Sequence, residues 1–441
     1  MIKISFKQKN FEEALSALYN RPSYPPEIEK SVREILDDVK TNGNAALVKY
    51  AKKFDKIDLK PAEFQVSAAE IKAAAAQVGS AEKAAVKTAL ANIRTFAKLR
   101  IPKAWSHSPR PGVTVGERFQ PMDRIGVYIP GGTAPLVSTV IHTAGIAKAA
   151  GVREIVAVTP AGKSGKVHPA VLYAMGQVGI NEIYQLGGVY GVAAMAYGTE
   201  TIRKVEKIVG PGNAYVTAAK KLVYGEVALD MVAGPSEIMV IADAGCNPDF
   251  IAADLLSQAE HGSGLEQAVL LCTDSKLIGQ VEKAVMRQKT SLSRPEAVDK
   301  VLQNGVFLIE VKDLNQAAAI ASRYAPEHLE IMSRNAANTA AKIKAAGAIF
   351  LGPWTPEPIG DFCAGPSHVL PTAGSAKYFS GLSVEGFFRR SSIIKYTKSA
   401  LKKEVKAVEC FARMEGLDAH GNSASIRITG KNNEIHSHPI G

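Results

Sequence analysis

The chain has 441 residues, 46% hydrophobic and 22% charged, with 53 Lys+Arg against 42 Asp+Glu for a net charge of +11. This composition excludes a disordered chain, a collagen-like repeat and a disulfide scaffold, and at roughly 150 residues per domain it suggests about three domains. The basic excess bears on solubility and anionic partners, not on fold; without an RNA-binding aromatic motif or zinc-finger spacing, no nucleic-acid partner is expected.

The first 25 residues, opening MIKISFKQKN, carry charges throughout and lack the apolar segment of a signal peptide. No run approaches the ~18 apolar residues of a membrane span, so a soluble cytoplasmic protein with no membrane partner is expected. From Pro26 to about Pro102 the sequence reads helical. Ile28, Val32, Ile35, Leu36 and Val39 recur at three- to four-residue spacing, which makes one apolar stripe. Ser67 followed by Glu70 is a capping box. Pro102 and the run SHSPRPG then mark a loop.

After that loop the rhythm changes. RIGVYIPGG, EIVAVTP, EIYQLGG and KIVGPG are short β-branched runs ending in Gly or Pro, separated by the helical stretches APLVSTVIHTAGIAKAAG and HPAVLYAMGQVG. Such alternation predicts βαβ units on a parallel sheet. SEIMVIAD opens a second series. It continues through the helix PDFIAADLLSQAEHG, the strands QAVLLCTD and GVFLIEV, a helix over 314–325 and the strand GAIFLG. The expected fold is α/β, with two Rossmann-like parallel-sheet domains, a helical N-terminal region and a helical C-terminal arm. Residues 26–123 plus 238–382 would form a first, discontinuous domain and 124–237 a second. Residues 1–25 precede them, and 383–441 follow as the arm, where FFRRSSIIKYTKSALKKEVKAVECFARMEG is helical in period and closes on Gly416.

Cys246, Cys272, Cys363 and Cys410 make no C-x-x-C pair and read as buried or partly buried thiols in a reducing compartment. The turns YIPGGTAP, QLGGVYG and VGPGNAY place small residues after strands. There the backbone can approach a phosphate at a helix N-terminus, although glycine also ends strands for conformational reasons alone. Gln258 and His261 share a face if their segment is helical; a helix-end polar cluster is the plainer alternative. Glu327 and His328 in APEHLEI pair a carboxylate with a group that titrates near neutrality, or else start a helix with Pro326 in its first turn. Asp361 and His368 share a Gly/Pro-rich loop after GAIFLG, and Glu415 and His420 lie just before and at the end of GLDAH. The terminal His436 and His438 read as a frayed end. No local zinc signature links these residues. A four-ligand zinc site assembled from four separate elements remains one option.

IPGG, VGPGNAYV, DMVAGPSEIMVIAD, DLLSQAEHG, APEHLEI, GDFCAGPSHVLPT and GLDAH, in this order over about Pro26 to Arg427, resemble the histidinol dehydrogenase family. The resemblance implies a cytoplasmic NAD- and zinc-dependent oxidoreductase of histidine biosynthesis. It would oxidise L-histidinol through L-histidinal to L-histidine. By that resemblance Gln258, His261, Asp361 and His420 hold one Zn2+ per subunit. His328 is the base of both oxidations, and Glu327 activates water for the hydration between them. Ser236, Gln258, His261, His328, Asp361, Glu415 and His420 meet the substrate, with Glu415 on its ammonium, and His368 is structural. Tyr128, Tyr190 and Asn213 fall on the NAD-contacting positions, with Tyr190 standing where the family usually has Gln. The resemblance also implies a homodimer in which the C-terminal arm, with Glu415 and His420, completes the partner's active site. A paralogous dehydrogenase for another small alcohol, such as a sulfonated diol, is the nearest alternative. A zinc hydrolase with Glu327 as base and a basic binding protein are the others.

Overall fold

The computed structural model describes residues 1–21, 24–25, 27–131, 135–162, 165–261 and 263–430. Its strands, in chain order, are β1 (Ile2–Ser5), β2 (Trp105–Arg110), β3 (Val113–Pro121), β4 (Arg124–Tyr128), β5 (Glu154–Val158), β6 (Glu182–Tyr184), β7 (Lys207–Val209), β8 (Ala228–Leu229), β9 (Glu237–Ala242), β10 (Gln267–Cys272), β11 (Val306–Glu310), β12 (His328–Ile331), β13 (Ala348–Leu351) and β14 (Phe388–Tyr396).

Two of the three sheets are parallel, as the alternation of runs predicts. One has the order β1-β11-β10-β9-β12-β13 and the other β6-β5-β4-β7-β8. β9, β10 and β11 read as nearly continuous apolar runs because both faces of a parallel sheet lie under helices. The helices Pro248–Ala259, Ser275–Lys289 and Pro295–Asn304 cover one face of the first sheet. Phe11–Tyr19 and Leu314–Tyr324 cover the other. The second sheet packs on Glu27–Tyr50, Gly188–Tyr197 and Ala214–Val223. The predicted helix stripe of Val32, Ile35, Leu36 and Val39 faces this core. The Ser67 box forms as expected: its hydroxyl accepts the Glu70 N–H at 3.2 Å, and the Glu70 carboxylate accepts the Ser67 N–H at 3.0 Å.

Contacts divide the chain into two compact units, one of Met1–Arg100 with Met122–Phe387 and one of Ile101–Pro121 with the chain from Phe388 onward. Several expectations are corrected. The first residues are not a separate segment, because β1 pairs with β11 from Ile2↔Phe307 to Ser5↔Glu310. Of SHSPRPG, residues 106–110 are not a loop but lie in β2, and only Pro111 and Gly112 turn the chain into β3, with which β2 forms an antiparallel ribbon. The start of the arm is a strand: β14 pairs antiparallel with β3 from Phe388↔Pro121 to Tyr396↔Val113. Isoleucine, tyrosine and hydroxyl residues suit a pleated surface, and partner pairing outweighs the helical period there. Helix begins only at Lys398, capped by Thr397, and closes at Gly416 with φ 66°, as expected. All four cysteines are free, and Cys410 is exposed rather than buried. No described helix is long and apolar enough to cross a membrane. His436, His438 and Gly132 of the IPGG turn lie outside the described residues.

Candidate functional site

The chemistry-bearing residues gather where β9 and β12 begin. Ala325, at φ 53°, ends the preceding helix and turns the chain toward β12, so His328 opens a strand with Glu327 just before it, not the helix start that Pro326 suggested. His328 opens β12 opposite Ile238 and Ala348. Its Nδ1 lies 3.0 Å from the Glu237 carbonyl oxygen. Its Nε2 faces Asp361 at 3.4 Å and Glu357 at 3.6 Å. Glu327 Oε2 lies 3.7 Å from Nδ1 and accepts the Glu237 N–H at 2.9 Å. Asp361 belongs to the helix Glu357–Phe362, not to a loop, and this helix packs against Pro248–Ala259, the helix that carries Gln258. Ser257 donates to Glu357 across that contact at 3.0 Å.

Charge here is tightly interdependent. Burial opposes a proton on His328, yet Glu327 first, then Asp361 and Glu357, push its pKa up to about 10. Burial raises Glu327 to about 8 against the pull of His328. Burial, with Asp361 next, raises Glu357 to about 8. Asp361 is also penalised by burial, but the His328 hydrogen bond and charge hold it below its usual value. One imidazolium therefore cannot keep all of these carboxyls ionised. Behind them Glu330, raised by burial and by Asp254, accepts the Glu357 N–H at 2.6 Å.

Gln258 is fully buried, and neither polar atom of its side chain has a hydrogen-bond partner among the described residues. A buried amide in that state calls for a partner, whether a ligand, an ion or a water. His261 lies two residues beyond the end of the helix, its N–H reaching the Gln258 carbonyl at 3.4 Å. His261 is exposed by surface area, although the protein around its ring still lowers its pKa, with Asp361 opposing. Among the described residues, His328, Glu357 and Asp361 place one ligand atom each within 4.8 Å of one another. Of the four expected zinc ligands only Asp361 belongs to that trio. His368 stacks on His142 with centroids 4.4 Å apart, and its backbone N–H reaches His142 Nδ1 at 3.2 Å. Ser236 is half-buried immediately before β9, and its carbonyl accepts from Gln267 at 3.2 Å. Glu415 and His420 are exposed in the second unit, at the end of Lys398–Glu415 and in Asp418–Thr429.

The expected cofactor residues meet at the ends of β4, β6 and β7. Tyr128, buried at the end of β4, accepts the Gly188 N–H at 3.1 Å. Gly210 has φ 118°, and a Cβ there would lie 2.3 Å from the Tyr128 carbonyl oxygen. Asp230 accepts the Gly210 N–H at 2.7 Å, and Lys220 donates to the Gly210 carbonyl at 2.7 Å. This turn delivers Asn213 to the start of Ala214–Val223, where its side chain caps the Tyr215 and Val216 N–H groups. Tyr190 is turned inward: its ring stacks on Tyr50 and its hydroxyl donates to Asp55.

Arg21, Glu237, Glu330, Asp254 and Glu357 are the site neighbours that sequence motifs did not single out. A legible signal existed for three of them, namely an acid inside a buried apolar run such as SEIMVIA, HLEI or FIAADLL.

Residues 20–428 match the histidinol dehydrogenase family. The chain is 44% identical over 430 residues to histidinol dehydrogenase 2 of Trichormus variabilis, covering 97% of this chain and 99% of the relative. It is 46% identical over 402 residues to histidinol dehydrogenase of Clostridium acetobutylicum, covering 91% and 93%. The crystal structure of histidinol dehydrogenase from Elizabethkingia anophelis has a TM-score of 0.92 at 38% identity and covers 98% of this chain and 99% of that one.

Proposed function

Because the chain belongs to the histidinol dehydrogenase family and is an oxidoreductase of that kind, we propose that it oxidises L-histidinol through L-histidinal to L-histidine in two NAD-dependent steps. The observation that carries this reading is Gln258, a fully buried amide without a partner among the described residues, on a helix packed against that of Asp361. An amide carbonyl, an imidazole and a carboxylate are a donor set suited to Zn2+. Gln258, His261 and Asp361 would hold the ion, with His420 supplied by a second copy of the chain in a homodimer. Bound zinc would hold and orient the substrate, and NAD would accept the hydride.

The residues of the chain supply the rest. His328 takes the proton from the substrate hydroxyl through Nε2, since its Nδ1 is committed to the Glu237 carbonyl. With Asp361 engaged as a ligand, His328 would lose one of the charges that favour its proton, and Glu327 and Glu357 would remain the others. Glu327 polarises the water that adds to the aldehyde, and His328 takes the second proton. Ser236 and Glu415 hold the substrate's polar groups, Glu415 its ammonium. Tyr128 and Asn213 flank the cofactor, and Tyr190 braces the adjoining Gly187–Gly188 turn through Asp55. The enzyme would act in the cytoplasm.

Measuring NADH released per histidinol by the zinc-loaded protein tests the reading. Two per substrate is expected. Turnover of another small alcohol such as a sulfonated diol, with none of histidinol, would move the substrate within the fold family. Hydrolysis without NAD would refute the dehydrogenase reading.

A further inference from the structure

One residue brackets both members of the Glu327–His328 pair. The backbone N–H of Glu237 donates to Glu327 Oε2 at 2.9 Å, and its carbonyl lies 3.0 Å from His328 Nδ1. The Glu237 side chain is itself pinned, because Oε1 accepts the Ala373 N–H at 3.1 Å and stands 3.1 Å from Arg21 Nε. Arg21 comes from the chain just after the helix Phe11–Tyr19, far from every motif of the site. Its guanidinium lies 3.6 Å over the Tyr324 ring and donates to the Tyr324 carbonyl. Tyr324 is fully buried and donates in turn to Gln267 at 2.6 Å.

We propose that Arg21 and Glu237 are positioning residues for the base. Arg21 locks the first residue of β9, and that residue sets both the tautomer of His328 and the orientation of Glu327. A carbonyl facing Nδ1 holds a proton there, so that when the ring carries only one proton the free lone pair is that of Nε2, on the side of Asp361 and Glu357. Arg21 is placed to act on the pair through Glu237 and through Tyr324, whose carbonyl it bonds just before the Ala325 turn into β12. Arginine suits the task because one planar group can stack on the tyrosine, reach its carbonyl and face a buried carboxylate together. The inference rests on His328 as base. It adds the N-terminal connection to the catalytic apparatus.

The test uses zinc-loaded holoenzyme with Arg21→Met, Arg21→Lys and Glu237→Gln. Arg21→Met should lower kcat on the order of a hundredfold, the usual cost of a misplaced catalytic group, with KM for NAD changed by less than about twofold and zinc content intact. Arg21→Lys, which restores charge opposite Glu237, should recover part of the loss. If Arg21→Met fails to fold, Glu237→Gln carries the test, since it keeps the backbone bracket and changes only the carboxyl that Arg21 faces. It should show the same selective loss of kcat. Wild-type kcat in either variant, or a loss that follows zinc content, overturns the proposal. A second readout does not need the substrate: 15N spectra of histidine-labelled protein, followed up in pH until the His328 ring carries one proton, should show the Nδ1–H tautomer in wild type and a mixture in Arg21→Met. An unchanged tautomer in Arg21→Met overturns the proposal even where the choice of substrate has failed.

Discussion

Replacing Gln258 by Met sets stability against function at one residue. Gln258 is 0% exposed and its amide has no hydrogen-bond partner among the described residues. A buried amide in that state costs about 1–3 kcal/mol in proteins. Methionine has the same chain length without the amide, so the swap opens little cavity and removes that penalty. Metal-free Gln258→Met should therefore be more stable than metal-free wild type by about 1–3 kcal/mol. At ~2 cal/mol/K of unfolding entropy per residue, this raises the melting temperature by about 1–4 °C in a unit of this length. Zinc should reverse the order, because a ligand that binds only the native state stabilises it by mass action, and the variant lacks a donor. Calorimetry after chelation and again after zinc addition, with metal analysis of the dialysed protein, reads both effects. A metal-free variant that melts below metal-free wild type, or one that retains stoichiometric zinc, would refute the assignment of Gln258 as a ligand held at a cost to the fold.

Three further outcomes are expected. His328→Asn should reduce turnover at least about a hundredfold while zinc and NAD still bind, read by steady-state kinetics beside metal analysis and cofactor titration; near-normal turnover removes the base. Gly210→Ala places a methyl 2.3 Å from the Tyr128 carbonyl at a backbone φ of 118°. It should cost about 3 kcal/mol and raise KM for NAD without loss of zinc, whereas unchanged cofactor binding would detach this turn from the cofactor. Hydrogen bonds from Lys49, Asn42 and Tyr50 hold the Asp38 carboxyl down to about 2. A depressed carboxyl stabilises the fold above its unfolded pKa of ~3.9, and that contribution fades as pH falls from about 5 toward 2. The advantage of wild type over Asp38→Asn in urea melts should be at most about 1 kcal/mol at pH 6, since the side chain is partly solvated, and should shrink by pH 3. A difference that stays constant with pH would assign it to packing.

Much of the fold was legible because parallel strands under helices are written as unbroken apolar runs. SEIMVIAD, QAVLLCTD and GVFLIEV each became a strand of the first sheet. The antiparallel ribbon was not. β2 is exposed at every residue and carries no alternation to read, and β14 is exposed along most of its length. Each is a strand because β3 pairs with it: β2 across the two-residue Pro111–Gly112 turn, and β14 from some 270 residues away, a pairing that leaves no local trace. The site divided in the same way. Glu327, His328 and Asp361 stood out by residue type and neighbours, whereas Glu357 and Arg21 joined them only through tertiary contact. Tyr190 illustrates the converse: its position in the motif suggested a cofactor contact, and its hydroxyl bonds Asp55 inside the fold.

The place of the site follows from sheet geometry. In a strand the N–H and C=O of one residue point to the same side, and in a ladder both are taken by the neighbouring strand. β12 begins at His328, paired with Ile238, so the pairing starts one residue after Glu237. The Glu237 N–H and C=O thus face a neighbour that has not yet become a strand, and backbone groups buried there still need partners. Glu327 Oε2 takes the donor and His328 Nδ1 faces the acceptor. The unpaired start of the ladder therefore orients two adjacent side chains with groups that cannot rotate away. A slip of one residue in the register of β12 would send His328 to the opposite face of the sheet and remove both contacts together. On this argument the apolar packing of Leu329 and Ile331, both fully buried, fixes the register and with it the direction in which His328 presents Nε2.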